Sequence, residues 1–394
     1  MGRARTGWHF LQLPGPSNVP DRVLRAISRA TIDHRGPDFP ALTHEVLRGL
    51  RAVFRTEQPV VIYAASGTGG WEAAFVNTLR AGDRVLMFET GQFAVNWIEV
   101  ARRFGLQIDV VETDWRRGAD PDIIEQRLRE DRAHTYRAVA LVHNETSTGA
   151  MTRLAEVRRA MDSAQHPALL IVDAVSSVGC LDYRHDEWGI DVTIAASQKG
   201  LMLPPGLAFL AISQKARVAS REATLPRSYW DWNPMIARNA EGYFPHTPST
   251  NLLFGLREAL AMLDEEGLEQ VFCRHARYGR AARCAVQQWG LDTQCERADE
   301  QSDVLTTVVM PEGHDADQFR QLVHDRFNMS LGTGLGKLKG RVFRIGHVGD
   351  FNDLMLIATL AGVEAGLALS GVPIRRAGVA VATDSLVGLV ERPV

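Results

Sequence analysis

The sequence predicts an α/β protein: a mainly parallel central sheet covered by helices, followed by a smaller C-terminal α+β region. Two observations predict it. Short apolar runs rich in β-branched residues recur between turn residues, and most are continuous rather than alternating, as in strands buried on both faces. Windows of helical periodicity lie between these runs, the alternation that builds parallel sheets through helical crossovers.

Taken in order, strands are expected at 59–65 (PVVIYAA), 83–89 (DRVLMFE), 138–143 (AVALVH), 168–175 (ALLIVDAV), 192–196 (VTIAA) and 207–212 (LAFLAI). Helices are expected between them, as at 70–80 (GWEAAFVNTLR) and 152–163 (TRLAEVRRAMDS). A long helix at 251–265 follows the loop FPHTPST and leaves the first region. Beyond it the pattern changes to helices near 268–289 and 315–327, strands near 304–310 and 341–346, and a final helix near 352–369. The 394 residues thus divide into a leading segment (1–20), a large domain (21–265) and a small domain (266–394).

Composition narrows the function. A formal net charge of −3 leaves no basic excess to neutralise phosphates, which argues against a nucleic-acid partner. Cys180, Cys273, Cys284 and Cys295 never form a C-x-x-C pair, so no metal or disulfide framework is read and reduced thiols in the cytoplasm are expected. The opening residues lack the apolar core of a secretory signal, and the tail GLVERPV carries no peroxisomal or prenylation ending. No run reaches the length of a membrane span.

In open α/β sheets, ligands gather at the carboxyl ends of the strands, and three motifs fall there. The first is SGTGGWE (66–72), between a strand and a helix, where glycines and free helix amides suit a phosphate. Gly67, Gly69 and Glu89 partly fit a dinucleotide fingerprint, but Glu72 stands where its third glycine belongs. A turn capping the helix through Ser66 or Thr68 is the plain structural alternative. The second motif is Asp173, a carboxylate ending an apolar strand, costly there unless a cation or donors meet it. The third is Lys199, following VTIAASQ; burial lowers the pKa of a lysine and makes its amine a nucleophile toward aldehydes. A phosphate cradle, a carboxylate for a ring nitrogen and a lysine for an aldehyde are together the requirements of pyridoxal 5′-phosphate.

At this point the sequence resembles the class V, fold-type I aminotransferases that use pyridoxal 5′-phosphate, and among them the alanine–glyoxylate and serine–glyoxylate aminotransferases. The resemblance rests on LPGPSNVP (13–20), HRGPDF (34–39), SGTGGWEAA (66–74), HNETSTG (143–149), VDAVSSVG (172–179), SQKGLMLPPG (197–206) and VFRIGHVG (342–349), spread over nearly the whole chain. It implies that Lys199 binds the cofactor covalently and, once freed, carries the proton between substrate Cα and the cofactor. Asp173 would pair with the ring nitrogen. Ser66, Gly67, Thr68 and Gln198 would hold the phosphate, Thr146 would sit near the phenolic oxygen, and Val175 would touch the cofactor. Phe93 would stack on the ring, with Trp71 and Trp97 as rivals. Arg344 would grip the substrate carboxylate with paired hydrogen bonds, and Gly15 in the leading segment would form part of the substrate wall. Relatives send a tyrosine and a threonine across a homodimer interface to the partner's phosphate site. Thr247 matches the threonine, whereas the tyrosine position reads Phe244, with Tyr243 beside it.

The function so implied is transfer of an amino group from a small amino acid, serine ahead of alanine and aspartate, to glyoxylate. Arg35 is the one further candidate for a side-chain carboxylate. A cysteine desulfurase or other lyase of the same fold is the neighbouring reading. It is disfavoured by Gln198 before the lysine, where desulfurases place histidine, and by the lack of a cysteine in a glycine-flanked loop. A nicotinamide oxidoreductase using 66–89 and a non-enzymatic module on the same scaffold are more distant. The glycine-rich stretch GTGLGKLKG (332–340) leads into a strand and reads as a turn and mobile loop.

Overall fold

The computed structural model describes residues 7–389; the readings made of the first six residues and of the tail beyond Leu389 lie outside it. The chain opens on a short strand, β1 (Phe10–Gln12), that joins a sheet built mostly from the other end of the sequence. The large sheet then takes β2 (Val60–Tyr63), β3 (Arg84–Glu89), β4 (Gln107–Glu112) and β5 (Tyr136–Val142). A small hairpin, β6 (Asn144–Glu145) with β7 (Ala150–Met151), stands just past the end of β5. The large sheet is completed by β8 (Leu169–Asp173), β9 (Val192–Ala196) and β10 (Ala208–Ile212).

Its order is β2-β10-β9-β8-β5-β3-β4. Only β10 runs against its neighbours, so the sheet is mainly parallel, as expected. β2, β5, β8, β9 and β10 are almost wholly buried, which is why they read as unbroken apolar runs. β4 escaped the sequence reading because it is the edge strand, half-exposed along its length, and QIDVVE carries polar residues a central strand would exclude.

The second sheet has order β1-β12-β13-β11, from β11 (Leu305–Val309), β12 (Met329–Thr333) and β13 (Val342–Gly346). Further elements were not anticipated, among them β1, the β6–β7 hairpin, β12, whose MSLGT is too short and glycine-broken to register, and a helix at Gly378–Leu386 beyond the helix Asp353–Leu369 expected to be last. The elements given bounds in advance lie within a few residues of them, and the helix Leu268–Trp289 coincides with its expected span. Among the described residues no helix is long and apolar enough to cross a membrane.

The parallel strands bring their carboxyl ends to one rim. β2 ends into the helix Gly67–Thr78, β3 into the helix Gln92–Arg103, and β5, β8 and β9 end near His143, Asp173 and Ser197. Because β10 runs the other way, its leading loop, Pro204–Leu207, lies at the same rim. Ser197 Oγ donates to the Pro204 carbonyl at 2.8 Å and accepts from the Leu207 amide at 3.1 Å. That turn fixes the chain on either side of Lys199.

Candidate active site

At this rim one cleft of about 110 Å³ is lined by Ser66, Gly67, Thr68, Phe93, Thr146, Asp173, Val175, Gln198 and Lys199. Trp71, Val142, Asn144 and Ser176 complete the lining. Every residue expected at the cofactor from the same chain is therefore present, although they are drawn from five separate loops.

The cleft's group suited to a phosphate is the head of the helix Gly67–Thr78. Its first amides face outward with a partial positive charge, and the hydroxyl of the N-cap residue Ser66 makes no capping bond, leaving it free for a ligand. Gly67 has no room for a side chain, since a Cβ there would stand 2.6 Å from Val175 Cγ2. The side-chain oxygens of Gln198 and Asn144 are buried without a protein partner. Buried polar atoms of that kind call for a ligand or water.

Asp173 is held from two sides. The Val175 amide donates to Oδ1 at 2.8 Å and Trp71 Nε1 donates to Oδ2 at 2.8 Å. Burial pushes its pKa up to about 6 despite those donors, so the carboxylate is short of a cation. The three aromatics differ in placement. Trp97 is fully buried and stacks on Trp71 and Phe75 in the core, Trp71 serves Asp173, and Phe93 remains on the cleft wall.

Lys199 is buried, and its Nζ donates to the Pro14 carbonyl at 2.6 Å. Burial, reinforced by the positive charge of Arg344 and opposed by Asp173, pulls its pKa down to about 8. The leading segment crosses directly over it: the Ser17 amide donates to the Gln198 carbonyl at 3.0 Å and Ser17 Oγ to the Lys199 carbonyl at 3.0 Å. Gly15 has φ +123, and a Cβ there would overlap the Lys199 amine. Gly15→Ala is therefore expected to displace the lysine and to lower cofactor occupancy and turnover together, by about tenfold or more. Visible absorbance of the purified variant checks the first and steady-state rate the second; wild-type values would refute the contact.

Arg344 lies on β13 and is buried. Its Nε donates to the Thr333 carbonyl at 2.8 Å and its Nη1 to the Thr146 carbonyl at 2.7 Å, which carries it across from the small sheet to the cleft. Its neighbours Phe343 and Ile345 face the opposite way, into the core of the small sheet, as alternation requires. Burial lowers even this guanidinium to about 10, with buried Glu145 opposing the shift. Glu145 accepts from the Ser147 amide (3.0 Å), Ser147 Oγ (2.7 Å) and the Ala94 amide (3.0 Å), and Ser147 Oγ accepts from the Gln92 amide (2.9 Å). The pair thus caps the helix carrying Phe93, whose own N-cap, Gly91, has no side chain to do so.

Glu145, Ser147, Asn144 and the Pro14 carbonyl were missed as individual contributors by the sequence reading. The signal available was HNETSTG itself, a polar run directly after an apolar strand. Three expected contributors lie elsewhere. Arg35 is exposed and outside the cleft of its own chain. Thr247 is likewise exposed and outside it. Phe244, partly buried, packs edge-on against Phe39 at 6.0 Å, while Tyr243 is half-buried under the Arg238 guanidinium.

The family description Aminotransferase class-V matches residues 9–336. The chain belongs to the class V aminotransferases. It is 48% identical over 389 residues to a serine–glyoxylate aminotransferase of Methylorubrum extorquens, with 97% of each chain covered. It is 43% identical over 374 residues to an L-aspartate–glyoxylate aminotransferase of Paracoccus denitrificans, with 94% of each covered. Among solved structures, the ureidoglycine–glyoxylate aminotransferase of Bacillus subtilis superposes with a TM-score of 0.88 at 28% identity, covering 97% of this chain and 99% of that one. The cofactor of this fold-type I family is pyridoxal 5′-phosphate, and the cleft fits it: a helix head for the phosphate, an under-compensated carboxylate for the ring nitrogen, and a buried amine for the aldehyde.

Proposed function

We propose that the protein moves the amino group of a small L-amino acid, serine by preference, to glyoxylate, giving glycine and a 2-oxo acid by a ping-pong mechanism. The observation carrying this reading is that Lys199 lines the cleft beneath Pro14 while Arg344 is bonded to Thr146 on the same lining. The relatives named above supply the substrate class: they act with glyoxylate and take serine or aspartate as donor.

When bound, pyridoxal 5′-phosphate supplies an aldehyde for the exchanged amine and a ring that accepts the electrons released at Cα. The residues do the rest. Asp173, pinned by Val175 and Trp71, keeps a positive charge on the ring nitrogen through its own negative one. Ser66, Gly67, Thr68 and Gln198 hold the phosphate, Thr146 and Val175 flank the cofactor, and Phe93 covers its face. Arg344 takes the substrate carboxylate, which orients Cα toward Lys199. The Lys199 amine, its pKa lowered to about 8, would take the Cα proton and pass it to the carbon that carried the cofactor's aldehyde. Gly15 and the backbone around it exclude water above that amine.

Selectivity among donors is the finer part of the proposal. Among the described residues no arginine lines the cleft itself, Arg344 reaching its edge through the Thr146 carbonyl, and Arg35 is exposed, which favours a short neutral side chain over a second carboxylate. Mixing the enzyme with millimolar serine, alanine or aspartate in single half-reactions tests it. Serine is expected to convert the cofactor absorbance fastest, and no conversion by any of the three would sink transamination. We further propose a homodimer in the cytoplasm, in which the exposed Thr247 completes the phosphate site of the partner. Thr247→Val would then loosen cofactor binding, read by equilibrium dialysis, without changing the fold of either chain.

A further inference from the structure

Two features of the sequence remain outside this chemistry: Glu89, and the glycine-rich stretch before Arg344. The structure joins them at a third residue, Trp115. Trp115 has φ +65, a left-handed conformation that a bulky residue adopts at a cost, and it is almost wholly buried. Such conformations persist only where surroundings impose them, and they cluster at clamps and switches.

The surroundings come from both the large-sheet and the small-sheet sides. On the large-sheet side, Trp115 Nε1 donates to Glu89 Oε1 at 3.1 Å, where β3 ends, and the ring packs with Val95 on the helix that carries Phe93. On the small-sheet side, the Trp115 carbonyl accepts from Gln294 Nε2 at 3.0 Å, and the ring packs on Leu338 and Val342. Val342 shares a strand face with Arg344, two residues on. Lys337 closes the arrangement, with its ammonium 4.9 Å from the Trp115 ring centroid and paired with Glu89. The stretch expected to be a mobile loop is thus a short 3-10 turn, Gly336–Leu338, pegged by one apolar and one charged side chain. Its leading end is Thr333, whose carbonyl holds Arg344 Nε.

We propose that Trp115 is a clamp: with Glu89 and Lys337 it locks the 333–338 strap and so sets the position of Arg344 relative to Phe93 for substrate carboxylate binding. Trp115, Glu89 and Lys337 are positioning residues. None of them lines the cleft, and they act through Arg344. The proposal rests on the reading of Arg344 as the carboxylate ligand.

The test uses holoenzyme carrying Lys337→Met, which keeps the stem and removes the charge, or Trp115→Phe, which keeps a ring and removes the N–H. Each is expected to raise KM for the amino acid about five- to tenfold, as loss of one such contact allows. The kcat and the visible circular dichroism of bound cofactor should stay within about twofold of wild type. Hydrogen exchange at 334–341, measured without substrate, should quicken about tenfold in both. Lys337→Arg should retain the wild-type KM. A strap that does not loosen, or one that loosens while KM stays put, overturns the clamp. Arg344→Lys run alongside separates the two ideas. If its KM is unmoved, the reading of Arg344 falls, and strap exchange alone then decides whether the clamp exists. If its KM rises and those of the other two variants do not, the clamp falls and the reading of Arg344 stands.

Discussion

Lys199→Ala is expected to lose turnover by about ten-thousand-fold or more, since a positioned proton carrier alone is worth about 10²–10⁴ and the covalent hold on the cofactor goes with it. The variant should still fold. The turn on which Lys199 sits is held by Ser197, Pro204 and Leu207, and none of those bonds involves the lysine side chain. Single-turnover absorbance with serine reads the loss, far-ultraviolet circular dichroism reads the fold, and a small added amine should restore part of the rate. Near-normal turnover in this variant would overturn the assignment of the cleft. The same lysine makes a pH prediction for cofactor-free protein. Its folded pKa, about 8, lies below the ordinary value of 10.5, so the buried ammonium costs stability at neutral pH. That cost is relieved as pH rises from about 8 toward 10.5.

Asp173→Asn is expected to cut turnover by about 10²–10³, the range lost when a preorganised electrostatic partner is removed from a buried site. The amide, with a single acceptor oxygen, keeps only one of the bonds from Val175 and Trp71 and cannot offset a positive ring nitrogen. Cofactor should still enter, with an altered absorbance maximum, because the phosphate end is untouched. The sign of the linkage for cofactor-free protein is opposite to that of Lys199. The folded pKa of Asp173, about 6, lies above its unfolded value of 3.8. The folded state is therefore favoured below about 3.8, and this contribution, on the order of 3 kcal/mol, is lost as pH rises through 6. Asp173→Asn should lack that decline. Thermal unfolding of the two cofactor-free proteins between pH 4 and 7 decides it; parallel curves would mean that Asp173 is not the under-compensated charge.

Much of this arrangement was legible in the chain because strand burial writes itself into composition. β5, β8 and β9 are buried along almost their whole length, so AVALVH, ALLIVDAV and VTIAA could only be central strands, and their ends located Asp173 and Lys199. Among the elements that escaped reading, β4 and β12 are an edge strand and a short glycine-containing one, whose pairing rather than composition makes them strands. Trp71 shows the limit for single residues. As an aromatic near the phosphate motif it was a credible stacking partner, and only its 2.8 Å bond to Asp173 assigns it to the carboxylate. The loop at 332–340 shows the converse error. Its glycines suggested mobility, but Leu338 and Lys337 find fixed partners on a different part of the chain.

What the sequence by itself determined is the set of chemical groups and the rim to which each is carried: a phosphate-binding helix head, a carboxylate and a lysine at the ends of adjacent buried strands. Local pattern suffices there, because strand and helix periodicities are properties of short stretches. What only the tertiary structure decided is which distant segments close over that rim. Pro14 above Lys199, Thr146 beneath Arg344, Glu145 capping the helix of Phe93 and Trp115 between the two sheets are contacts between residues far apart in the chain. Each depends on packing and on buried polar groups finding partners, and neither condition leaves a mark on the neighbouring sequence.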